Sequence, residues 1–215
     1  MFITSNNQAA WQLSEYLIND HHNMVAKTLN PLMSDPTVLL AAYNDEFPNG
    51  TTIMDHAHAK GVLAADEVSG LWLVHSVPKF PSIPGYDYPD SAQLYGQSFF
   101  CLSLAERSEV DNVGALLVYN EPNFYFSRVP FRLNDKFLSL ERALAGNWRT
   151  TAPYSYQLEL KSAGGQVFRS FAKSARYQRE LYEDFVAPAL DVNLLVETWR
   201  KGAGNLASNC SKDDK

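Results

Sequence analysis

The sequence of 215 residues lacks most of the features that define special classes of protein. It has only two cysteines, Cys101 and Cys210, and its apolar runs are far shorter than the roughly 20 residues of a membrane-spanning helix. We therefore expect a globular chain that does not cross a membrane and needs no disulfide framework to form its core. A Cys101–Cys210 bridge and two free thiols are both compatible with the sequence.

The chain also lacks an excess of basic residues. It has 18 Lys and Arg against 24 Asp and Glu, a formal net charge of −6 at neutral pH. Such a balance argues against a nucleic-acid partner, because phosphate binding depends on neutralisation by Lys and Arg. The argument weakens in acid, since protonation of all five histidines would bring the net charge to −1 before any carboxylate is neutralised.

The first residues, MFITSNNQAAWQ, lack the basic and apolar regions of a secretory signal, so we expect no signal peptide within this sequence. Two glycosylation sequons occur in loop-like stretches, beginning at Asn49 and at Asn209. Together they favour a lysosomal or secreted glycoprotein.

No internal repeat or Gly/Ser linker divides the sequence, which predicts a single domain over residues 1–215. Apolar residues at helical spacing predict a helix within residues 8–20, and a second short helix is expected over 24–29, before Pro31. Further short helices are predicted over 109–118 and over 180–186, the last ended by Pro188.

Strand signals dominate the middle of the chain. KGVLAAD (60–66) and GLWLVHSV (70–77) predict an antiparallel hairpin, and residues 154–174 predict a second hairpin with Gly164 and Gly165 at its tip. A last strand is expected over 193–199. Hairpins alternating with helices are typical of a mixed α/β, that is α+β, domain rather than of a regular βαβ winding.

No histidine follows His75, and three of the five histidines flank the first hairpin. His56 and His58 precede its first strand, and His75 lies near the end of its second. Antiparallel pairing brings these ends together, so His58, Lys60 and His75 are expected at one edge of the sheet. Because residues two apart share a face of an extended segment, His56, His58 and Lys60 are expected side by side.

An imidazole beside an ammonium suits a phosphodiester. Imidazole can attack phosphorus, and the lysine charge offsets the charge that develops on the phosphoryl oxygens. Taken alone, however, the H-x-K triplet is far more typical of a solvated loop than of a catalytic site. His75 is likewise more typical of a core histidine satisfied by a backbone carbonyl. His21 and His22, beside Asp20, are expected to have a charge role at a helix end.

A metal site is a weaker interpretation. His-x-His beside Asp55 could chelate zinc, but no further ligand occurs at a recognisable spacing. No phosphate-binding glycine loop, dinucleotide-binding fingerprint or G-x-S-x-G elbow is present. We therefore expect neither a metal nor a cofactor.

The blocks HAKGVLAAD, GLWLVHSVPKFP and SAQLYGQSFFCLSL resemble the deoxyribonuclease II family of acid endonucleases. The resemblance continues in SAGGQVFRSFAKS, LYEDFVAPAL, NLLVETWRKG and GNLASNCS, and so covers most of residues 38–211 in order. It implies a phospholipase D-like fold and a lysosomal or secreted enzyme. Such an enzyme cuts DNA near pH 5 without a divalent metal and leaves 3′-phosphate ends.

In that family two H-x-K motifs meet at one active site, where one histidine forms a phosphohistidine and the other protonates the leaving oxygen. The resemblance places His58 and Lys60 in the first motif. The second motif, which lies further downstream in the family, does not occur in this sequence, and the family's opening strand and C-terminal part are also expected to be missing. Gln93 stands where relatives often carry a cysteine, so Cys101 is expected to be free.

Three interpretations follow from the missing motif. The sequence represents part of an active enzyme, or a chain whose site is shared by two copies of itself in a homodimer, or a degenerate paralogue. The leading hypothesis is an acid endonuclease acting on DNA, with His58 as nucleophile or acid and Lys60 as the phosphate-binding charge. His75 and His56 are weaker candidates for substrate binding. The alternative is a secreted, catalytically inactive paralogue that binds DNA or a host protein.

Overall fold

The computed structural model describes residues 1–197, apart from the side chains of residues 7–9. Within these residues the chain forms four α-helices: α1 Met24–Ser34, α2 Arg107–Asn120, α3 Leu138–Leu144 and α4 Ala187–Leu190. The strands are β1 Phe2–Thr4, β2 Asn7–Gln12, β3 Leu39–Tyr43, β4 Gly61–Ala65, β5 Gly70–His75, β6 Phe99–Leu104, β7 Phe124–Arg128, β8 Ser155–Lys161 and β9 Val167–Lys173.

Five strands form the central sheet in the order β6-β5-β4-β3-β7, and every neighbouring pair is antiparallel. Two separate hairpins, β1–β2 and β8–β9, lie outside this sheet. The expected mixed α+β fold is therefore confirmed, as are the β4–β5 hairpin and the β8–β9 hairpin with Gly165 at positive φ in its turn.

Both faces of the central sheet are covered, which explains why β3 and β4 are continuous apolar runs with every residue buried. Leu39 and Leu63 face a cluster that includes residues of α2, α3 and the β8–β9 hairpin. Leu40 and Val62 point to the opposite face, where α1 and the proline-rich segment 77–92 cover them. Arg128 at the end of β7 ties α1 to the sheet, because its guanidinium donates hydrogen bonds to four backbone carbonyls at or near the C-terminal end of that helix.

The predicted helix over residues 8–20 is wrong. Gln12 pairs with Phe2 in the β1–β2 hairpin, and the residues after it form turns. Leu13 and Leu17 are 82% and 76% exposed, so their helical spacing does not mark a buried face. Backbone pairing with a neighbouring strand is invisible to local periodicity and decides the structure here.

Two helix ends also differ from expectation. α1 continues through Pro31 to Ser34, and the burial of Leu29 and Met33 on one face offsets the hydrogen bond that proline cannot make. Pro188 lies in the first turn of α4, where its missing N–H is tolerated, rather than ending the preceding helical turn at 182–186. Residues 193–197 form no strand, and residues 198–199 of that predicted element lie outside the described part.

Across residues 1–197, every helix is too short or too polar to span a lipid bilayer. Cys101 lies on the exposed side of β6 and forms no disulfide within residues 1–197. Cys210 and the second sequon lie outside the described residues, so the proposed cysteine bridge stays a prediction.

Candidate active site

Three strand ends meet at one edge of the central sheet. β3 ends at Tyr43, which pairs with Gly61 at the start of β4, and the backbone N–H of His75 at the end of β5 donates to the Lys60 carbonyl at 3.2 Å. The residues that leave β3 and those that enter β4 therefore lie side by side. The expected convergence of Lys60 and the end of β5 is present.

Asp45 links the two residues of the H-x-K triplet. Its Oδ2 atom lies 2.6 Å from His58 Nδ1, and its Oδ1 atom accepts a hydrogen bond from Lys60 Nζ. Since an ionised carboxylate only accepts hydrogen bonds, His58 Nδ1 carries the proton, and Nε2 is left as the second reactive nitrogen. The His58 side chain is 84% exposed, whereas that of Lys60 is 5% exposed.

The electrostatics of this cluster keep Asp45 charged. Burial by itself would raise the pKa of the Asp45 carboxyl. The Lys60 hydrogen bond and charge, together with the His58 charge, outweigh burial and hold that pKa below its ordinary value. Asp45 therefore remains an anion near pH 5 and can orient His58 there.

Asn44 fixes the backbone next to Asp45. Its side-chain amide donates to the carbonyls of Val77 and Phe80 at 3.0 and 2.9 Å, and its backbone N–H donates to Asn123 O at 3.0 Å. Asn44 is fully buried. These bonds join the segments that follow β3 and β5 to the segment that precedes β7. They thereby fix the backbone direction at Asp45, the next residue after Asn44.

His75 belongs to the core beneath the site. The residue is 6% exposed, and its ring packs against Phe80 and Phe99. The Val77 N–H donates to Nδ1 at 3.2 Å, while Nε2 is buried and has no hydrogen-bond partner among residues 1–197. Burial and then the nearby Lys60 charge lower the pKa of His75 to about 3, although the Val77 contact opposes them. This placement favours the core interpretation, and a role in substrate binding stays a prediction.

His56 lies apart from the Asp45 cluster. Its Nδ1 donates to Asp55 Oδ1 at 2.9 Å, and its ring packs edge-to-face on Trp148. With Asp55 and Ala57 it lines one side of a groove of about 850 Å³. The expected side-by-side arrangement of His56 with His58 and Lys60 is thus replaced by two separate environments.

His21 and His22 precede α1 instead of ending a helix, because the predicted helix before them does not form. His22 Nδ1 pairs with Asp20 Oδ1 at 2.9 Å, and the His21 ring packs on Tyr86. Asn23 is the residue that caps α1, through its side-chain oxygen and the Ala26 N–H. Neither histidine contacts the candidate site.

Asp45 is a residue of the candidate site that no sequence motif indicated. The available signal was its position directly after an apolar strand, but the partner strand and the register were needed to place it beside Lys60. Among residues 1–197, no group of three or more His, Cys, Asp or Glu side chains is arranged to hold a metal ion.

Comparison with known proteins supports the family resemblance that the sequence blocks indicate. The chain is 34% identical over 218 aligned residues to deoxyribonuclease-2-beta of Mus musculus, which covers 98% of this chain and 60% of the relative. It is 36% identical to plancitoxin-1 of Acanthaster planci, over 98% of this chain and 60% of that protein. Deoxyribonuclease-2 of Caenorhabditis elegans is 31% identical, over 94% of this chain and 61% of the relative.

The chain thus spans about 60% of the length of these curated relatives. A family model, described as deoxyribonuclease II, matches residues 1–215. The match covers the β3–β4 edge that holds Asp45, His58 and Lys60, and the chain belongs to the deoxyribonuclease II family.

Proposed function

We propose that this chain carries one half of the active site of a metal-independent acid deoxyribonuclease that cuts DNA phosphodiesters. The observation that carries the proposal is the Asp45 carboxylate, which holds His58 on one oxygen and Lys60 on the other. Family membership and relatives named as deoxyribonucleases support DNA as the substrate.

His58 is the proposed nucleophile. A carboxylate on Nδ1 fixes the tautomer and the direction of the ring, which leaves the lone pair of Nε2 for attack. Because 84% of the side chain is exposed, a phosphodiester can approach the ring from solvent. The same geometry would suit a proton donor when His58 is protonated, so the acid role stays open.

The proposed reaction proceeds in two steps. His58 Nε2 attacks the phosphorus, an N–P bond forms, the P–O5′ bond breaks, and the leaving 5′-oxygen takes a proton from a second histidine. Water then attacks the phosphorus, the N–P bond breaks, and the proton released by water returns to that second histidine. The products are a 5′-hydroxyl and a 3′-phosphate.

Lys60 supplies positive charge beside the reacting phosphate. Its ammonium has three N–H donors, of which Asp45 engages one. Because the Lys60 side chain is almost fully buried, its charge is poorly screened by water and acts strongly on a neighbouring anion. Asp45 keeps this buried charge balanced in the free protein.

The second histidine is proposed to come either from the part of the family's length that these residues do not cover or from a second copy of the chain. His75 does not supply it, because a ring with a pKa of about 3 is neutral near pH 5 and cannot serve as the acid. A symmetric dimer that brings two His58 side chains to one phosphate would supply both roles.

The family resemblance also supports an acidic lysosomal or extracellular setting. Asn49, in the first sequon, is exposed in the turn after β3, where a glycan could be attached without disturbing the core. The second sequon, at Asn209, lies outside the described residues.

The first test is nicking of supercoiled plasmid at about pH 5 in EDTA over a range of protein concentrations. We expect nicking whose rate per molecule rises with concentration, and a loss of at least about 100-fold in His58→Ala. His22→Ala is the matched control, because His22 is an exposed histidine remote from the site, and it should nick like the unaltered chain.

Nicking that survives in His58→Ala would overturn the proposed site. The alternative is an inactive paralogue that uses the fold to bind DNA or a host protein. It gains support if the folded chain does not nick plasmid at any concentration but binds DNA equally well with and without His58. In this alternative the exposed His58 and the buried Lys60 contact a ligand without cleaving it.

A further inference from the structure

Several cations near the end of β9 have no carboxylate partner in the described part of the chain. Within residues 1–197, the Lys and Arg side chains that form ion pairs are Lys60, Arg132 and Arg169. Four other cations gather around the end of β9 without a carboxylate within 4.0 Å in this part of the chain, and we refer to them as the basic rim: Arg149, Lys173, Arg176 and Arg179.

The protein backbone holds the basic rim together. Lys173, the last residue of β9, donates from Nζ to Arg179 O at 2.6 Å, and Arg176 donates from Nη1 to Arg149 O at 3.4 Å. The buried Ser174 hydroxyl accepts a hydrogen bond from the Arg176 N–H and so fixes the turn between Lys173 and Arg176. These contacts use backbone oxygens, and none of the four cations forms an ion pair with a carboxylate within residues 1–197.

The basic rim and the catalytic loop face the same groove. Lys173 and Arg179 line one side of the 850 Å³ groove, and His56 lines it from the loop that carries His58 two residues later. The C-terminal end of α2 also lines this groove and contacts the loop, because the backbone carbonyl of its C-cap Glu121 accepts a hydrogen bond from the Ala57 N–H. A strand of DNA bound at His58 would therefore have the groove beside it.

Four carboxylates also line the groove, and three of them are engaged by the protein. Asp55 accepts from His56, Glu180 accepts from the N–H groups of Tyr182 and Glu183, and Asp184 accepts from the Glu180 N–H. The fourth, Glu121, has one carboxylate oxygen buried. These hydrogen bonds leave the carboxylates negatively charged. The exposed guanidinium groups of Arg176 and Arg179 are the positive groups of the rim that a ligand in solution can reach.

We propose that the basic rim binds the phosphate backbone of the DNA strand on one side of the scissile phosphate. This proposal rests on the proposed function, since it takes DNA as the ligand. Arginine pairs with phosphate through two parallel hydrogen bonds, and contacts to the backbone position DNA without regard to its sequence. The chain would thus bind DNA despite its overall negative charge, through cations concentrated in one place.

The test is DNA affinity as a function of salt at pH 5 in EDTA, measured by fluorescence anisotropy with a labelled duplex oligonucleotide. All proteins carry His58→Ala, so that cleavage does not disturb binding. We expect the double variant Arg176→Gln/Arg179→Gln to lower the magnitude of the slope of log affinity against log salt by about 2, since each lost contact releases about 0.9 fewer counterions.

Two matched variants separate this effect from others. Arg107→Gln/Lys136→Gln removes the same charge from exposed residues at the opposite end of the sheet and should leave the slope unchanged. Arg176→Lys/Arg179→Lys keeps the charge and should keep the slope. Circular dichroism and thermal unfolding confirm that each variant is folded.

The proposal is overturned if Arg107→Gln/Lys136→Gln lowers the salt slope as much as Arg176→Gln/Arg179→Gln does. It is also overturned if Arg176→Lys/Arg179→Lys lowers that slope, or if the His58→Ala protein binds no DNA. Failure of the proposed function gives a different result from failure of the basic-rim proposal. The unaltered chain would then not nick plasmid, while the salt slope of DNA affinity would still depend on Arg176 and Arg179.

Discussion

At the scale of single residues, the candidate site depends on Asp45. One carboxylate neutralises a lysine that is almost entirely buried and orients a histidine that is almost entirely exposed. The buried ion pair makes the site part of the folded core, while the exposed imidazole remains accessible to a large substrate. The geometry of the candidate site and the stability of the fold are therefore coupled through Asp45.

Asp45→Asn is expected to destabilise the fold by about 3 kcal/mol, because it leaves the Lys60 ammonium buried without a counter-charge. Urea unfolding measures the effect. Adding Lys60→Met to this variant should recover part of the loss, since no buried charge then remains. Asp20→Asn, which removes the exposed partner of His22, is the control and should change stability little.

The same substitution has a defined pH dependence. The native pKa of Asp45 lies below that of the unfolded chain, so its contribution is fully present above the unfolded pKa of about 3.9 and is lost as pH falls through the native pKa. The stability gap between the unaltered chain and Asp45→Asn should be constant between pH 7 and 5 and shrink below about pH 4. A gap that shrinks already between pH 7 and 5 would contradict this.

His75 is expected to make the protein less stable in acid. Its pKa is lowered to about 3 in the native state, so below about pH 6.5 the unfolded chain binds a proton that the native chain does not. Stability should fall by about 2 kcal/mol between pH 8 and 5 from this residue, and His75→Gln should remove that dependence. Unfolding at both pH values measures it, and an unchanged pH dependence in His75→Gln would refute the buried neutral ring.

At the scale of elements, the contact between α2 and α3 reverses an expectation from helix propensity. Gly114 lies in the interior of α2, although glycine is a poor helix former. In the structure the backbone of Leu140 lies against it, and a Cβ atom at position 114 would meet Leu140 N at 2.4 Å. Glycine is required there by the close approach of α3.

Gly114→Ala should therefore destabilise the protein by about 1–3 kcal/mol, although propensity alone would predict stabilisation of about 1 kcal/mol. Gly96→Ala is the control, since a Cβ there meets no atom within 4 Å. The thermal midpoints of the two variants measure the difference. An increase in stability for Gly114→Ala would show that α2 and α3 pack less closely than described.

At the scale of the whole molecule, net charge is a poor guide to what the protein can bind. A formal charge of −6 argues against nucleic acid when it is treated as evenly distributed. The fold instead gathers Arg149, Lys173, Arg176 and Arg179 near the end of β9, where Lys173 and Arg179 line a groove. Arg149 and Arg176 are 27 residues apart in the chain, so composition and short motifs could not reveal their proximity.

The sequence alone was sufficient for features that depend on neighbouring residues. The β4–β5 and β8–β9 hairpins follow from apolar strands joined by short turns, and the H-x-K triplet and the ordered blocks identified the family. Local pattern failed over residues 8–20 and 193–197, where similar apolar spacing is compatible with a helix, a strand or an exposed loop. Tertiary pairing chooses among these.

Only the tertiary structure decided the features that depend on register and packing. Asp45 is 13 residues from His58 and 15 from Lys60, and it meets them because β3 pairs with β4 in one particular register. The burial of His75 likewise depends on Phe80 and Phe99, which other segments bring to it. Turn chemistry and strand patterning are local properties, whereas the charge and solvent exposure of a site are set by whichever distant residues the fold places beside it.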